Sequence, residues 1–137
     1  MNIDDKTTQA LAASLKYRQL RQELISSNIA NAETPGYKAK KINFEEALAR
    51  ALDTDDQMQM KMTDGKHHTV GNGGFNNLQP EITEREDGIV SMDGNTVDRD
   101  KELAEMAENK IMYDASVQLL NKKLGLLKYA IGSDSGR

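Results

Sequence analysis

Met58, Met60 and Met62 alternate along the chain and are followed shortly by the adjacent pair His67-His68. Thioethers and imidazoles are the neutral, polarisable donors that suit a soft ion such as Cu(I), so this stretch is where metal chemistry has to be weighed. It is set among Asp, Gly and Asn residues with no apolar periodicity, and neighbouring histidines in such a setting are ordinarily solvated side chains. The adopted reading is therefore no metal, with a Met/His soft-metal protein kept as a minor alternative. Carboxylates offer no better site. Neither Asp53-Thr54-Asp55-Asp56 nor Asp93, Asn95 and Asp98 fits a calcium loop. In the second group Val97 and Asp98 stand where an oxygen ligand and a glycine are needed. With no Cys there is no thiolate nucleophile, no disulfide and no Cys-type zinc site. A glycine-rich phosphate loop and a Ser-His-Asp arrangement in a credible context are also missing, so no catalytic or cofactor-binding residue is assigned and an enzyme is not expected.

The ordered elements lie at the two ends. Toward the C-terminus, Leu103, Met106, Lys110, Tyr113, Val117, Leu120, Leu124, Leu127 and Ile131 follow one another in steps of three and four, the spacing of a heptad seam on one helix face. Asp98 is suited to cap the start of this helix. Asp100, Glu102 and Glu105 sit near its positive end, and Lys122, Lys123 and Lys128 gather toward its negative end. A helix of that length measures on the order of 50 Å, longer than a compact globule of this size would accommodate, so an elongated molecule is expected. At the other end, Ala10, Ala13, Tyr17, Leu20, Leu24 and Ser27 form one row from Lys6 to about Asn31, and Leu11, Leu15, Ile25 and Ile29 form a narrower second row. Each helix carries more apolar surface than one antiparallel partner would cover. The two are expected to pair in a coiled-coil-like manner and to leave a second seam for neighbours.

Composition limits the alternatives. Of the 137 residues 37% are hydrophobic and 4% aromatic, with no Trp and two Phe, so a compact core would be thin. A net charge of −4, with the acidic excess in the middle, gives no basic surface for nucleic acid. No apolar run approaches the roughly 20 residues of a membrane span, and Met1-Asn2-Ile3-Asp4-Asp5 is acidic where a cleaved secretory signal would be basic and then apolar.

Between the helices the expectations are weaker. Asn43 with Glu46 approximates a capping box, and Ile42 with Ala47 a hydrophobic staple, for a short helix from Phe44 to Leu52. Before it, Lys38-Ala39-Lys40-Lys41 is a basic patch that could steer an acidic neighbour, although solvated turns of this kind are commoner. Asp53 to Gly74 is expected to be flexible, part of a doubtful stretch from 53 to 80. Pro80 to Met92 is the one β-like part: Ile82 alternates with polar residues, Asp87-Gly88 suits a two-residue turn, and Ile89-Val90-Ser91-Met92 would return as the second strand of a hairpin. The expected fold is thus mainly α. One structural unit is divided into residues 1–37, 38–97 and 98–137.

The most distinctive stretch ends the first helix. In Asn28-Ile29-Ala30-Asn31-Ala32-Glu33-Thr34-Pro35-Gly36-Tyr37, Thr34 is pushed extended by the proline after it, and Pro35-Gly36 fills the centre of a type II turn. This run resembles the signature of bacterial flagellar axial proteins, Asn-hydrophobic-Ala-Asn-x-x-Thr-Pro-Gly-aromatic, with every fixed position present. Gly94-Asn95-Thr96-Val97-Asp98 resembles the Gly-Asn-x-Val-Asp element that opens the C-terminal helix in the same family. The short length resembles the basal-body rod proteins, most of all their proximal, B-type branch.

That resemblance implies a structural subunit of the rod, the axial tube that transmits motor torque for motility. It would be exported by the flagellar type III apparatus without a cleaved signal and placed in the periplasmic part of the basal body. Its partners would be other rod subunits, further copies of itself and the junction with the inner-membrane ring. Heterologous contacts that do not close a ring generate such a tube. The residues expected at subunit interfaces are Tyr17, Leu20, Leu24, Asn28, Asn31, Thr34, Pro35, Gly36 and Tyr37 from the N-terminal part, and Leu103, Met106, Tyr113, Val117, Leu120, Leu124 and Leu127 from the C-terminal part. A soluble coiled-coil adaptor is the alternative from another class. The thin core further suggests that the free subunit becomes fully ordered only when neighbours cover its seams.

Overall fold

A computed structural model describes residues 6–46, 48–49, 80–86 and 88–134. The Met58–Met62 and His67-His68 grouping, the acidic run at 53–56 and the glycine-rich stretch after it lie outside the described residues. Among the described residues, no group of three or more His, Cys, Asp or Glu is placed to hold a metal ion. No helix of the described residues is long and apolar enough to cross a membrane.

Two helices dominate: α1, Lys6–Ala30, and α2, Arg99–Asp134. Asp98 caps α2, its Oδ1 accepting from the backbone N–H of Asp100 at 3.1 Å and of Lys101 at 3.3 Å. The helices run antiparallel, since Asn28 at the end of α1 meets Glu102 at the start of α2, whereas Arg18, earlier in α1, meets Asn109, later in α2. With 36 residues against 25, α2 outruns the described part of α1 and is about 54 Å long at ~1.5 Å per residue.

The middle of the chain departs from expectation in one respect. Ile82–Glu84 (β2) forms no hairpin with residues 89–92; it pairs antiparallel with β1, Lys40–Ile42, the stretch expected to be a basic turn. The register sets Lys40 opposite Glu84, Lys41 opposite Thr83 and Ile42 opposite Ile82. Arg85 N–H to Ala39 C=O at 2.7 Å and Asn43 N–H to Glu81 C=O at 3.4 Å extend the ladder at its ends. A hairpin is what local turn chemistry favours, but here the non-local strand has more to offer. It brings Ile42 into the core and aims Arg85 at α2. Residues 89–92 instead enter a tight loop, with Ser91 N–H bonded to Asn95 C=O and Gly94 N–H to Ser91 C=O, both at 2.9 Å.

The expected short helix is present at residues 44–46 and 48–49, directly after Asn43. Phe44 turns inward and packs on Tyr17 with ring centroids 4.9 Å apart at 57°. These rings and Ile42 form the main apolar cluster, with Leu20, Leu24 and Leu48 half-buried around it. The larger apolar row of α1 therefore covers β1 and the short helix. The surface between α1 and α2 in this half of the pair is largely polar.

Candidate functional site

The residues brought together most closely are those of the two terminal motifs. Thr34-Pro35-Gly36-Tyr37 is a turn closed by Tyr37 N–H to Thr34 C=O at 3.2 Å, with Gly36 at φ 72, the left-handed value a type II turn needs at this position. Asn31 holds the end of α1: its backbone and side-chain nitrogens both donate to Ser27 C=O, at 3.1 and 2.8 Å. Against this turn lies the loop before α2, where Gly94 has φ 82 and its Cα side approaches Gly36. Gly36 N–H donates to Asp93 C=O at 2.9 Å and Thr96 N–H to Tyr37 C=O at 3.1 Å.

Asn95 locks the two loops. Its Nδ2 donates to Asn31 C=O at 2.9 Å and Thr34 C=O at 2.8 Å, while its Oδ1 accepts from Val97 N–H at 2.8 Å. One buried amide thereby gives a second donor to two carbonyls of the turn after α1, which also accept from Thr34 N–H and Tyr37 N–H, and an acceptor to an amide at the approach to α2. Thr96 adds a second tie, its Oγ1 accepting from Ala39 N–H at 2.8 Å. Outside this lock, Arg99 reaches Glu33 at 2.8 Å in an exposed ion pair that contributes little.

Deeper in, the junction is charged. Asn28 is fully buried; its Nδ2 donates to Lys40 C=O at 2.8 Å and Glu102 Oε2 at 3.2 Å, and its Oδ1 accepts from Lys40 N–H at 3.0 Å and the Tyr37 hydroxyl at 3.1 Å. The amide therefore acts as a neighbouring strand would, pairing with both backbone groups of Lys40. Glu102, also fully buried, accepts from Arg85 at 2.6 Å, and Arg85 bridges on to Glu105 at 3.0 Å. Farther along the helices, Asn109 donates to Arg18 C=O at 2.9 Å and Gln22 Oε1 at 3.1 Å. Arg18 lies 5.6 Å from the Phe44 ring centre, and burial, then the neighbouring Arg21, holds its guanidinium below its ordinary pKa against the opposing pull of Glu45 and Glu108.

This arrangement fastens; it has no nucleophile aligned with a base. Of the residues expected at interfaces, Asn28, Asn31, Thr34, Pro35, Gly36 and Tyr37 belong to the junction, where Thr34, Pro35 and Gly36 stay exposed and Asn28 does not. Tyr17 is buried in the chain's own core and Leu20 and Leu24 are half-buried against it. On α2, Met106, Val117 and Leu120 are half-buried, Leu127 is buried, and Leu103, Tyr113 and Leu124 remain exposed.

Residues that sequence reasoning passed over complete the picture. Glu102 looks like a helix-dipole acid and Arg85 like a solvated strand residue, yet both are buried. The available signal was a polar row at seven-residue spacing, Glu102, Asn109, Ser116 and Lys123, on the side of α2 that meets α1. A second row, Ile111, Leu119, Leu126 and Tyr129, points away from that side and is exposed at 68, 57, 63 and 77%.

The family model described as flagella basal body rod protein matches residues 9–38, which span most of α1 and the Thr-Pro-Gly turn. Relatives named flagellar basal body rod protein FlgB match along most of the chain. That of Cereibacter sphaeroides is 38% identical over 120 residues, 88% of this chain and 89% of its own. That of Bacillus subtilis is 34% identical over 135 residues, 93% and 95%. That of Proteus mirabilis is 35% identical over 115 residues, 81% and 82%.

Proposed function

The chain belongs to the flagellar basal body rod protein family as a structural subunit, and from that membership we propose that it joins the axial tube through the outward face of α2. One observation carries the proposal: the row Ile111, Leu119, Leu126 and Tyr129 is left exposed while α1 covers a different side of the helix. Large apolar side chains aligned over several turns favour association once a neighbour removes them from water, at about 25 cal/mol per Å² buried. The exposed Thr34-Pro35-Gly36 corner caps one end of the subunit.

Contacts of this kind on one patch, answered by a different patch on the next subunit, build an open helical array. The proposed partners are further copies of the chain, other rod subunits and the junction with the inner-membrane ring. The proposed route is the flagellar export apparatus, without a cleaved signal, to the periplasmic part of the basal body. Supporting this reading is family membership together with a junction that fastens the subunit without using the outward face.

The test is Leu126→Glu with Tyr129→Glu, expressed in a cell lacking the wild-type chain. Both side chains are exposed, so the purified variant should keep the parent's helical circular dichroism and an unfolding free energy in urea within about 0.5 kcal/mol of it. Incorporation into isolated basal bodies and swimming should be lost. Normal rods carrying the variant would overturn the proposal.

A further inference from the structure

At the end of the subunit where the two motifs meet, the apolar side chains of the loop Ile89-Val90-Ser91-Met92 face water: Ile89 is 84% exposed, Val90 59% and Met92 fully. The loop backbone is nonetheless pinned. Ser91 N–H donates to Asn95 C=O and Ser91 C=O accepts from Gly94 N–H, both at 2.9 Å, while the adjoining Asp93 C=O accepts from Gly36 N–H. Large apolar side chains held outward on a fixed backbone give up little freedom when a partner covers them. They cannot reach the subunit's other exposed apolar surface, the row on distal α2, because about 40 Å of helix separates Arg99 from Leu126 at ~1.5 Å per residue.

The two surfaces are also opposite in charge. Glu86 and Asp93, both exposed, bracket the loop, and neither has an ion-pair partner among the described residues. From residue 115 to residue 133, by contrast, α2 carries Lys122, Lys123 and Lys128 and no Asp or Glu. Lys122 and Lys128 are exposed and likewise without an ion-pair partner among the described residues. The helix is notched here as well. Gly125 and Gly132 sit where glycine is unfavourable, a Cβ added to either would meet nothing within 4 Å, and with Lys128 and Tyr129 they line an open hollow.

We propose that the loop of one copy docks on distal α2 of the next, Met92 resting in the hollow between Gly125 and Gly132 with Glu86 and Asp93 turned toward Lys122 and Lys128. The inference rests on the rod-subunit reading and deepens it by naming the patch that answers the outward face of α2. Charge complementarity assigns the occupant to a second copy: two loops meeting would set carboxylates against carboxylates, and two distal helices would set lysines against lysines. The unbranched Met92 side chain suits an irregular hollow. Since the patches stand at opposite ends of the subunit, the contact is head to tail, the type that propagates along an array.

The chain has no cysteine, so single thiols report on chosen sites. Two chains with tags of different length, Met92→Cys and Leu126→Cys, are co-expressed in a cell lacking the unaltered chain, and isolated basal bodies are treated with a short bismaleimide. A product joining one long and one short chain is expected, exceeding the product of either variant alone by about tenfold, because a heterologous contact brings unlike sites together. Ile89→Cys with Tyr129→Cys should behave likewise, and Met92→Cys with Lys16→Cys should stay at background. Concentrated mixtures of purified chains, folded by circular dichroism, give the same reading for any variant that stays out of rods. In them Lys122→Glu with Lys128→Glu, placed in the Leu126→Cys chain, should lower the yield about tenfold, whereas Lys16→Glu with Lys41→Glu should leave it within about twofold. Met92→Cys linking to itself as readily as to Leu126→Cys would reveal a two-fold contact between loops and overturn the proposal. A mixed yield no higher than that of the Lys16→Cys control would overturn it too, and in rods that carry the chain this result leaves the rod assignment standing. Failure of the unaltered chain to enter rods sinks that assignment itself.

Discussion

The junction of the two motifs and the distal half of α2 are built on opposite terms. At the junction, buried polar groups find partners within the chain: Asn28 is bonded on both sides of its amide, Asn95 makes three bonds, and Glu102 holds Arg85. Along distal α2, Leu119, Leu126, Tyr129 and Ile131 are apolar and lie in the open. The first region is finished by folding and the second is not. A buried polar group left unpaired costs far more than an exposed apolar one, so the chain closes its polar network by itself and leaves apolar surface outward. Specific pairing holds the two ends of the chain in register, and the exposed apolar stretch is the part a neighbouring subunit can cover.

The largest effect that would break this contrast is at the buried charge. Glu102→Ala leaves Arg85 without its closest partner and is expected to cost about 3–5 kcal/mol in urea unfolding, enough to unfold a chain with so small a core. A loss below about 1 kcal/mol would mean that the ion pair does not hold the junction. Replacing both partners, Glu102→Leu with Arg85→Met, should recover much of that loss, because no charge is then left buried alone.

A smaller effect is expected at the lock between the loops. Asn95→Ala takes one of two donors from the carbonyls of Asn31 and Thr34, which keep Thr34 N–H and Tyr37 N–H, removes the acceptor of Val97 N–H, and should cost about 1–3 kcal/mol by the same measurement. Native-state hydrogen exchange should then report faster opening of residues 31–37 than of mid-α1. Uniform acceleration along α1 would argue that the loops are not a separate unit.

The smallest effect sharpens the comparison from inside the core. The Tyr17 hydroxyl is buried and has no hydrogen-bond partner among the described residues, so Tyr17→Phe should change stability at pH 7 by less than about 0.5 kcal/mol or raise it slightly. Burial also raises the phenol's pKa above its ordinary value of 10.0, so the folded chain keeps this proton where the unfolded chain gives it up. The contribution is fully present below that ordinary value and is lost as pH rises from there through the raised value. Urea titrations at pH 7 and at about pH 10.5 should therefore show a shallower alkaline loss for Tyr17→Phe than for the parent. Identical alkaline losses would show that Tyr17 ionises as a solvated phenol does.

Legibility in the sequence followed the range over which each signal acts. Both long helices, the Asp98 cap and the Pro35-Gly36 turn were readable because spacing, capping oxygen and left-handed glycine act over a few residues. The two motifs pointed to the family for the same reason. The pairing of β2 was misread, since Asp87-Gly88 suggested a local hairpin and nothing local reveals that Lys40–Ile42 is the better partner. Which helix faces touch was only partly legible. The row through Met106, Val117 and Leu120 is half-buried, but the outward row through Ile111, Leu119, Leu126 and Tyr129 escaped notice beside the more regular seam.

By itself the sequence determined that long helices stand in the N-terminal and C-terminal parts of the chain, where the first stops, how the second is capped, and which motifs stand at their facing ends. Those are consequences of backbone sterics and of hydrogen bonds between near neighbours. Only the tertiary structure decided that Arg85 lies on Glu102, that Asn28 stands in for a strand beside Lys40, and that Asn95 spans the two loops. Each of those contacts joins residues far apart in the chain, and what makes a charge or an amide favourable in the interior is the partner that the fold places next to it.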